Sequence, residues 1–324
     1  MARYLVTGGA GFIGSHIAER LVRDGHFVRV LDNLSTGRKS NLDAVRAAAP
    51  NDGFEWMEGD IRSIEVCRSA CEGVEFVIHE AALPSVQRSI ENPPETNEVN
   101  VSGFVTLLTA ALEHRVKRVV AASSSSVYGD TPTLPKVEEM VPTPLSPYAA
   151  SKLAAEHYAR VFSKTMGLST VSLRYFNVFG PRQDPLSQYA AVIPAFIEAL
   201  SDGRRPTVYG TGEQSRDFTY VENVVLANLR ACTHGDGVGE ALNIAGGTQR
   251  SLLDLLDALG RALDTKPNPQ FLPRRPGDVM HSYADIRAAK KCIGYSPVVG
   301  LEEGLARTVA HHRLERSTLG GGSS

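Results

Sequence analysis

Cysteines are few in this sequence, and they are scattered. Only four occur in 324 residues, and only Cys67 and Cys71 lie close together, one helical turn apart. No second pair of ligand-type residues stands near these two, so we expect no metal site. Scattered, unpaired thiols are typical of a reducing compartment, and we therefore expect buried, reduced thiols in a cytoplasmic protein.

The sequence also lacks an excess of positive charge and any long apolar run. Its 34 lysines and arginines against 36 acids give a net charge of −2, so no basic surface for nucleic acid is expected. No apolar run approaches the roughly 20 residues that span a bilayer. The first strand pattern begins at residue 3, which leaves no room for a signal peptide. We therefore expect neither a nucleic-acid partner nor a membrane partner.

What the sequence does contain is a glycine-rich turn near its start. An apolar run at 3–7 predicts a buried strand, residues 15–23 follow a helical pattern, and Gly8, Gly11 and Gly14 lie between them. Glycine is required where the backbone turns sharply and where a side chain would collide with a pyrophosphate. The free N–H groups of the following helix favour a bound anion. The order predicts a dinucleotide site, and the alternative is an ordinary glycine-rich turn.

The second predicted strand ends in an acid. Residues 27–31 are mostly apolar, and Asp32 follows them, 18 residues after Gly14. This spacing suits a carboxylate that binds the adenosine ribose hydroxyls. Because a carboxylate would repel a 2′-phosphate, we expect NAD rather than NADP. Arg38 and Lys39 stand near enough to soften that preference, and the alternative for both is a solvated loop.

A third predicted strand leads to a second candidate contact for the nucleotide. Residues 54–57 are followed closely by Asp60 and Ile61. An acid and an apolar residue at a strand end suit an adenine ring. The alternative is that Asp60 caps the N-terminus of the next helix.

Strand and helix patterns alternate through the first half of the chain. Further strands are predicted at 76–79, 118–123 and 169–173, and helices at about 95–114 and 147–166. Such alternation predicts an α/β fold, a Rossmann-type doubly wound parallel sheet with helices on both faces. Beyond residue 176 the units become shorter. A helix at 221–232 and a strand at 241–244 then follow, and we expect that strand to rejoin the main sheet.

Length and pattern together predict two unequal domains with a ligand cleft between them. The expected boundaries are 1–176 plus about 221–245 for an NAD-binding Rossmann domain, 177–220 and 246–315 for a smaller α/β substrate-binding domain, and 316–324 for a flexible tail.

Tyr148 and Lys152 stand one helical turn apart on a predicted helix, so their side chains share a face. A phenol loses its proton near pH 10. We expect the Lys152 ammonium group to lower that pKa and to hold the nicotinamide ribose. The serines at 123–126 end a predicted strand and can share the substrate proton. With the glycine turn, this pattern predicts hydride transfer between NAD and an alcohol, and the alternative is a surface pair beside a turn.

Six ordered segments carry a resemblance to a known family. They are TGGAGFIG (7–14), SSSSVYG (123–129), SPYAASK (146–152), LRYFNVFGPRQ (173–183), RDFTYV (216–221) and RPGDV (275–279). Over nearly its full length the chain resembles an extended short-chain dehydrogenase/reductase. Within that superfamily it is similar to the nucleotide-sugar 4-epimerases that act on UDP-N-acetylglucosamine (UDP-GlcNAc) and UDP-glucose.

The resemblance implies a role for individual residues. Ser124, four residues before Tyr128 of the VYG turn, is implied as the hydroxyl partner of Tyr148, and with Lys152 these two form the implied catalytic group. Besides Tyr148 and Lys152, the implied NAD contacts are Gly8, Gly11, Phe12, Ile13, Gly14, Asp32, Asn33, Asp60, Ile61, Ala81, Asn100 and Phe176. Besides Ser124 and Tyr148, the implied nucleotide-sugar contacts are Ser85, Arg88, Ser125, Asn177, Val192, Tyr209, Arg216, Arg275, Asp278 and Ser282.

Ser125 and Ser126 separate the chain from two sister groups. Nucleotide-sugar 4,6-dehydratases carry an Asp-Glu pair at these two positions, and the decarboxylases usually keep a glutamate at the second. Both acids are absent here. The resemblance therefore implies oxidation and re-reduction at a single carbon, which is epimerisation at C4.

Ser282 bears on which sugar is used. It lies four residues after Asp278, at a position that gates the sugar pocket in the family, and a small side chain leaves room for an acetamido group. We therefore expect interconversion of UDP-GlcNAc and UDP-GalNAc, with UDP-Glc and UDP-Gal as a second pair. Epimerisation of UDP-glucuronate is the alternative.

Two other functional classes and an assembly remain to be considered. A dehydrogenase would release NADH, and a non-catalytic NAD-sensing module would typically lack the Tyr/Lys pair that this chain keeps.

Most relatives pair the helices at about 95–114 and 147–166 across a two-fold axis, so we expect a homodimer. Val105, Leu108 and Leu112 share one helix face that suits either a core or an interface.

Overall fold

Strands and helices alternate in the first half of the chain, in a computed structural model that describes residues 1–184, 191–274 and 279–320. In chain order the elements are β1 (Arg3–Thr7), α1 (Phe12–Arg23), β2 (Phe27–Asp32), α2 (Asn41–Ala48), β3 (Phe54–Glu58), α3 (Ile64–Cys71), β4 (Phe76–His79), α4 (Val86–Glu91), α5 (Pro93–Asn97), α6 (Phe104–Glu113), β5 (Arg118–Ser124), α7 (Pro147–Met166) and β6 (Thr170–Tyr175).

The second half contains shorter units. They are β7 (Val178–Phe179), α8 (Val192–Ser201), β8 (Thr207–Tyr209), β9 (Ser215–Asp217), β10 (Thr219–Tyr220), α9 (Val221–Thr233), β11 (Ala241–Ile244), β12 (Gln249–Ser251), α10 (Leu252–Leu263), β13 (Gln270–Leu272), α11 (Arg287–Ile293) and α12 (Leu301–Gly320). None of the helices in the described ranges is long and apolar enough to cross a membrane.

The main sheet confirms the predicted doubly wound α/β fold. Its seven strands run in the order β11-β6-β5-β4-β1-β2-β3, and every pairing between them is parallel. Strand β11 lies beside β6, so it rejoins the sheet as expected. Successive side chains of β1 enter different cores, because Leu5 packs with Cys67 of α3 and Val6 packs with Ile17 of α1. Helices therefore cover both faces of the sheet.

Several local predictions need correction. The helix expected at about 95–114 consists of α5 and α6 joined by a π-helical segment, Glu98–Gly103. Leu108, which lies in α6, belongs to the core. Helix α12 continues to Gly320, so the first residues of the predicted tail are helical. Ser63, and not Asp60, caps α3, because the Ser63 hydroxyl accepts from the Val66 amide. All four cysteines are unpaired, and Cys67, Cys71 and Cys232 are buried as expected, whereas Cys292 is partly exposed.

Three two-stranded sheets, β10–β7, β12–β9 and β13–β8, lie outside the main sheet. Side chains of α8, α10 and α12 share one apolar cluster with this part of the chain, including Phe196, Leu255 and Leu305. The cluster gives the second predicted domain a core of its own, and the domain boundaries themselves stay a prediction.

A buried ion pair fixes α7 against the main sheet. Arg174 of β6 donates to both carboxylate oxygens of Glu156, at 2.9 and 2.7 Å, and both side chains are less than one-tenth exposed. Glu156 also accepts from the Ser123 hydroxyl, and Arg174 donates to the Tyr128 hydroxyl. This network joins α7, β5 and β6 at the carboxyl edge of the sheet.

We expect Glu156→Ala to destabilise the protein by about 3 kcal/mol or more, because it leaves the Arg174 guanidinium buried without its anion. Urea unfolding at neutral pH measures the change. The matched control is Arg20→Ala, which breaks the exposed Arg20–Asp24 pair and should cost less than about 1 kcal/mol. Equal losses in the two variants would contradict a structural role for the buried pair.

Candidate active site

A cleft of about 730 Å³ opens at the carboxyl ends of the central strands. The turns after β1, β2 and β4 form one end, and the first turns of α7 form the other. Twelve of the predicted cofactor residues line it: Gly8, Gly11, Phe12, Ile13, Gly14, Asp32, Asn33, Asp60, Ile61, Ala81, Tyr148 and Lys152. Ligands of doubly wound folds bind at this edge of the sheet.

The glycine turn leaves no space for side chains. Gly8 has a φ of 70°, and a Cβ atom there would lie 2.5 Å from the backbone nitrogen of Ala81. A Cβ atom at Gly14 would lie 2.2 Å from the Gly8 carbonyl oxygen. No side chain caps α1, which starts at this turn. The close-packed turn and the uncapped helix N-terminus fit the pyrophosphate of a dinucleotide.

The Asp32 carboxylate contacts the glycine turn and also lines the cleft. Its carboxylate accepts from the Ala10 amide at 3.0 Å and from the Leu34 amide at 2.8 Å, and burial raises its pKa. The carboxylate is therefore fixed at the end of β2, where the sequence predicts a ribose contact.

Asp60 is also held in place by its neighbours. It accepts from the Asn33 amide at 3.0 Å and from Arg62, and the bond from Arg62 lowers its pKa to about 2. The group is thus an anion at neutral pH at the predicted adenine end of the cleft.

The loop after β2 is exposed at Arg38 and Lys39, but both side chains have partners. Arg38 lines the cleft and pairs with Asp184, with 2.6 Å between Nη2 and Oδ1. The Lys39 ammonium group lies 4.6 Å from the centre of the Trp56 ring. Sequence reasoning missed both contacts because their partners are distant in the chain.

Tyr148 enters the cleft from the first turn of α7. Ser146 caps that helix, Pro147 occupies a first-turn position, and the Tyr148 amide donates to the Ser89 hydroxyl at 3.0 Å. The Tyr148 phenol is hydrogen-bonded to Ser124, the residue implied as its partner. The two predicted hydroxyls therefore meet at the end of β5.

Lys152 lies one turn further along α7. It is 5% exposed, and its ammonium group donates to the Ala122 carbonyl at 2.9 Å. Burial lowers the pKa of Lys152, and the carboxylates of Glu80 and Glu156 act in the opposite direction. The lysine reaches the cleft from the same helix face as Tyr148, as predicted.

The expected effect of Lys152 on Tyr148 is not what this structure shows. The pKa of Tyr148 is raised, mainly by burial; Glu80 adds to the increase and the bond to Ser124 opposes it. Burial exceeds the hydrogen bond because a phenolate loses more hydration than a phenol. The amino group of Lys152 is engaged with a backbone carbonyl instead.

Two predicted cofactor residues do not reach the cleft wall. The Asn100 amide is fully used, because it bonds the Leu83 backbone in both directions and donates to Ser151. The Phe176 side chain is buried in a separate apolar cluster with Val127 and Tyr128. Neither residue therefore lines the cleft.

The predicted sugar contacts lie in several different parts of the structure. Ser85 and Arg88 line the cleft, where Ser85 caps α4 and Arg88 pairs with Glu95. Ser125 begins a short 3₁₀ turn after Ser124. Arg275 and Asp278 lie outside the described residues.

The remaining sugar contacts surround β9. Asn177 donates to the Asp217 carbonyl at 3.2 Å, and the Ser282 amide donates to the Ser215 carbonyl at 3.0 Å. Arg216 lies in the same strand and donates to the Met280 carbonyl. The other two predicted contacts lie outside β9, because Tyr209 is the last residue of β8 and Val192 is the first residue of α8.

No sequence pattern indicated a hydrogen-bonded acid at the cleft wall. Tyr175 donates to Glu80 at 2.6 Å and accepts from Asn228 at 2.7 Å. Glu80 and Tyr175 both line the cleft with Tyr148 and Lys152. The three residues come from β6, α9 and the end of β4, so no local spacing reveals them.

Comparison with known proteins identifies nucleotide-sugar 4-epimerases as relatives of this chain. The chain is 41% identical over 313 residues to UDP-glucose 4-epimerase of Mycolicibacterium smegmatis, with 96% of this chain and 98% of the relative covered. UDP-N-acetylglucosamine 4-epimerase from Methanobrevibacter ruminantium, solved with UDP-N-acetylmuramic acid, is 38% identical with a TM-score of 0.91, over 97% and 99% of the two chains. UDP-glucuronic acid 4-epimerase from Bacillus cereus is 30% identical with a TM-score of 0.89, over 97% and 99%.

A family model described as the NAD dependent epimerase/dehydratase family matches residues 4–245. That range contains the glycine turn, the serines after β5 and the Tyr148–Lys152 pair. It also covers well over half of the chain, so the expected superfamily, enzyme class and cofactor are confirmed. The chain belongs to the NAD dependent epimerase/dehydratase family.

Proposed function

We propose that this chain is a 4-epimerase that interconverts UDP-GlcNAc and UDP-GalNAc through a transient 4-keto sugar. The observation that carries the proposal is the meeting of Ser124, Tyr148 and Lys152 at the edge of a cleft whose other end fits a dinucleotide. With the nicotinamide of bound NAD as hydride acceptor, one base and one hydroxyl suffice for reversible oxidation of a single alcohol.

The chain's own residues manage the proton and the orientation of the sugar. Tyr148 takes the proton of the 4-hydroxyl, and Ser124, bonded to Tyr148, shares it. When bound, NAD supplies a hydride acceptor and then a hydride donor. The keto sugar rotates about its pyrophosphate linkage and presents its other face to the same two hydroxyls. Tyr148 then returns the proton, so that only the configuration at C4 has changed.

The raised pKa of Tyr148 constrains this mechanism. A buried phenol is scarcely ionised at neutral pH, and only the phenolate can accept the proton, so Tyr148 needs a nearby positive charge to form it. Lys152 and the cationic nicotinamide ring are the two candidates for that charge. We therefore assign Lys152 an electrostatic role in addition to the predicted contact with the ribose.

Ser125 and Ser126 support epimerisation over elimination. Neither side chain can act as a carboxylic acid or a carboxylate base, and Ser126 donates to the Ser124 hydroxyl at 2.9 Å. Elimination of water across two carbons requires a second acid–base pair. The serine turn offers hydroxyl groups only, which favours chemistry at one carbon.

The choice of an acetamido sugar rests on Ser282 and on one relative. Ser282 has a small side chain, and its amide donates to the carbonyl of Ser215, which precedes Arg216, a predicted nucleotide-sugar contact. The Methanobrevibacter relative is named for UDP-N-acetylglucosamine. We propose UDP-Glc and UDP-Gal as a second substrate pair, and the uronate is the alternative because the Bacillus cereus relative acts on it. We also propose a homodimer and the two-domain division given above.

Incubation of purified protein with UDP-GlcNAc, without added cofactor, tests the proposed substrate. Chromatography should resolve UDP-GalNAc approaching an equilibrium mixture, with no net accumulation of NADH. UDP-Glc and UDP-glucuronate serve as parallel substrates, each with and without NAD. Conversion of the uronate alone would reject the acetamido sugar, and stoichiometric NADH would indicate a dehydrogenase. Tight NAD binding without turnover of any sugar would support the sensing module.

We expect Tyr148→Phe to lower turnover by about 10²–10⁴-fold, the usual contribution of a general base, while NAD and UDP-sugar still bind. Steady-state kinetics and calorimetric binding measure the two effects. The matched control is Tyr158→Phe on the same helix, where the side chain is 43% exposed and should be indifferent. Near-normal turnover in Tyr148→Phe would remove Tyr148 as the base.

We expect Ser282→Tyr to reduce turnover of UDP-GlcNAc at least about tenfold more than turnover of UDP-Glc, because the phenol ring would fill the space for the acetamido group. Ser282→Ala is the control and should retain both activities. The comparison uses kcat/KM for the two substrates. An equal loss on both would discard the role of Ser282 in substrate choice.

A further inference from the structure

Glu80 is an acid at the cleft wall that the proposed reaction does not use. It directly follows β4, and its amide donates to the Thr7 carbonyl at 3.0 Å, which fixes its backbone beside the glycine turn. Its side chain lines the same cleft as Tyr148 and Lys152. A carboxyl group at this depth requires partners, because an unpaired buried charge is costly.

A chain of hydrogen bonds holds the carboxyl group in place. Tyr175 of β6 donates to Glu80 at 2.6 Å, and Asn228 of α9 donates to the Tyr175 hydroxyl at 2.7 Å. Tyr175 and Asn228 are both less than one-tenth exposed. The orientation of the carboxyl group is therefore determined by two elements of the main fold.

No lysine or arginine within the described ranges forms a direct ion pair with Glu80. Glu156, the other acid that acts on Lys152, is already bound by two nitrogens of the Arg174 guanidinium. Among the described residues, the hydrogen bond of the Lys152 ammonium group goes to the neutral Ala122 carbonyl. Glu80 is thus an acid of the same cleft that forms no ion pair within the described ranges and that favours the charged form of Lys152.

The other titratable neighbours do not replace it. His79 of β4 bonds to Thr7, and burial lowers its pKa to about 3, so it is neutral. Tyr148 lies on the lysine's own helix, and burial raises its pKa, so it supplies no fixed countercharge. Burial raises the pKa of Glu80, and the Tyr175 bond and Lys152 both oppose that rise.

We propose that Glu80 is a positioning residue of the active site, whose carboxylate, oriented by Tyr175 and Asn228, keeps Lys152 in its ammonium form. The role in turnover rests on the proposed epimerase function, because it matters only where Lys152 provides the positive charge for Tyr148. The electrostatic effect on Lys152 itself is independent of the substrate. The two parts can therefore be tested separately.

Glu80→Gln tests the effect on Lys152 without any substrate. It removes the charge and keeps an acceptor for the Tyr175 hydroxyl. NMR of protein labelled with ¹³Cε-lysine follows the titration, and the Lys152 signal is assigned by its absence from Lys152→Met. Because Glu80 supports the charged form of Lys152, its loss should move the titration to lower pH by about one unit. An unchanged titration would overturn the proposal.

Tyr175→Phe is the matched control, because it removes the hydrogen bond and keeps the carboxyl group. Under the proposal Lys152 in this variant retains its ammonium form above the pH at which Glu80 ionises. If Glu80 acted only by holding Tyr175, both variants would lose stability alike and neither would move the lysine. Wild-type protein gives a second measurement: the Lys152 signal should show an extra small step when Glu80 ionises, and a single step would also reject the proposal.

The pH profile of turnover tests the consequence for catalysis. In Glu80→Gln the alkaline limb should move to lower pH by the same amount as the lysine titration, which is about a tenfold loss of turnover on that limb. Glu80→Asp retains a charge and should restore most of the shift. A moved lysine titration with an unmoved alkaline limb would reject the catalytic part alone. Absence of any epimerase activity would reject the proposed function and leave the lysine titration as the test of Glu80.

Discussion

The buried pair between Glu156 and Arg174 is the interaction on which the position of the active site depends. Both charges are out of solvent, so each needs the other, and their bidentate contact holds α7 onto β6. Helix α7 carries Tyr148 and Lys152 on the turns that enter the cleft. A helix held only by apolar contacts can slide, whereas a guanidinium fork specifies one alignment. The alignment of Tyr148 and Lys152 thus depends on a buried pair that does not itself line the cleft.

Much of the fold could be predicted because its signals are local. The strands at 3–7, 76–79 and 241–244 and helix 147–166 have the predicted boundaries, since each has a clear apolar pattern or a cap such as Ser146. The π-helical segment before α6 was not predictable. Its ends have ordinary helical φ and ψ values, and no residue type marks the wider turn.

The candidate site was predictable to the same extent and for the same reason. Glycine spacing and the YxxxK pattern identify residues that the chain itself places at the cleft. Glu80, Tyr175 and Asn228 are linked by hydrogen bonds but come from three distant parts of the sequence, so only the folded molecule brings them together. The sign of the Tyr148 pKa shift was wrong for a related reason. Spacing along a helix shows which groups are near, but it does not show how much water burial removes from each.

The predicted sugar contacts are built differently from the cofactor end of the cleft. The glycine turn is fixed by backbone packing in which one added carbon would collide, whereas Ser282 is attached to its neighbours by a backbone hydrogen bond that any side chain except proline permits. Substitutions at the second place can therefore accumulate without disturbing the first. Under the proposed role of Ser282, descendants of such a scaffold change the sugar they accept by single steps while inheriting an unaltered glycine turn.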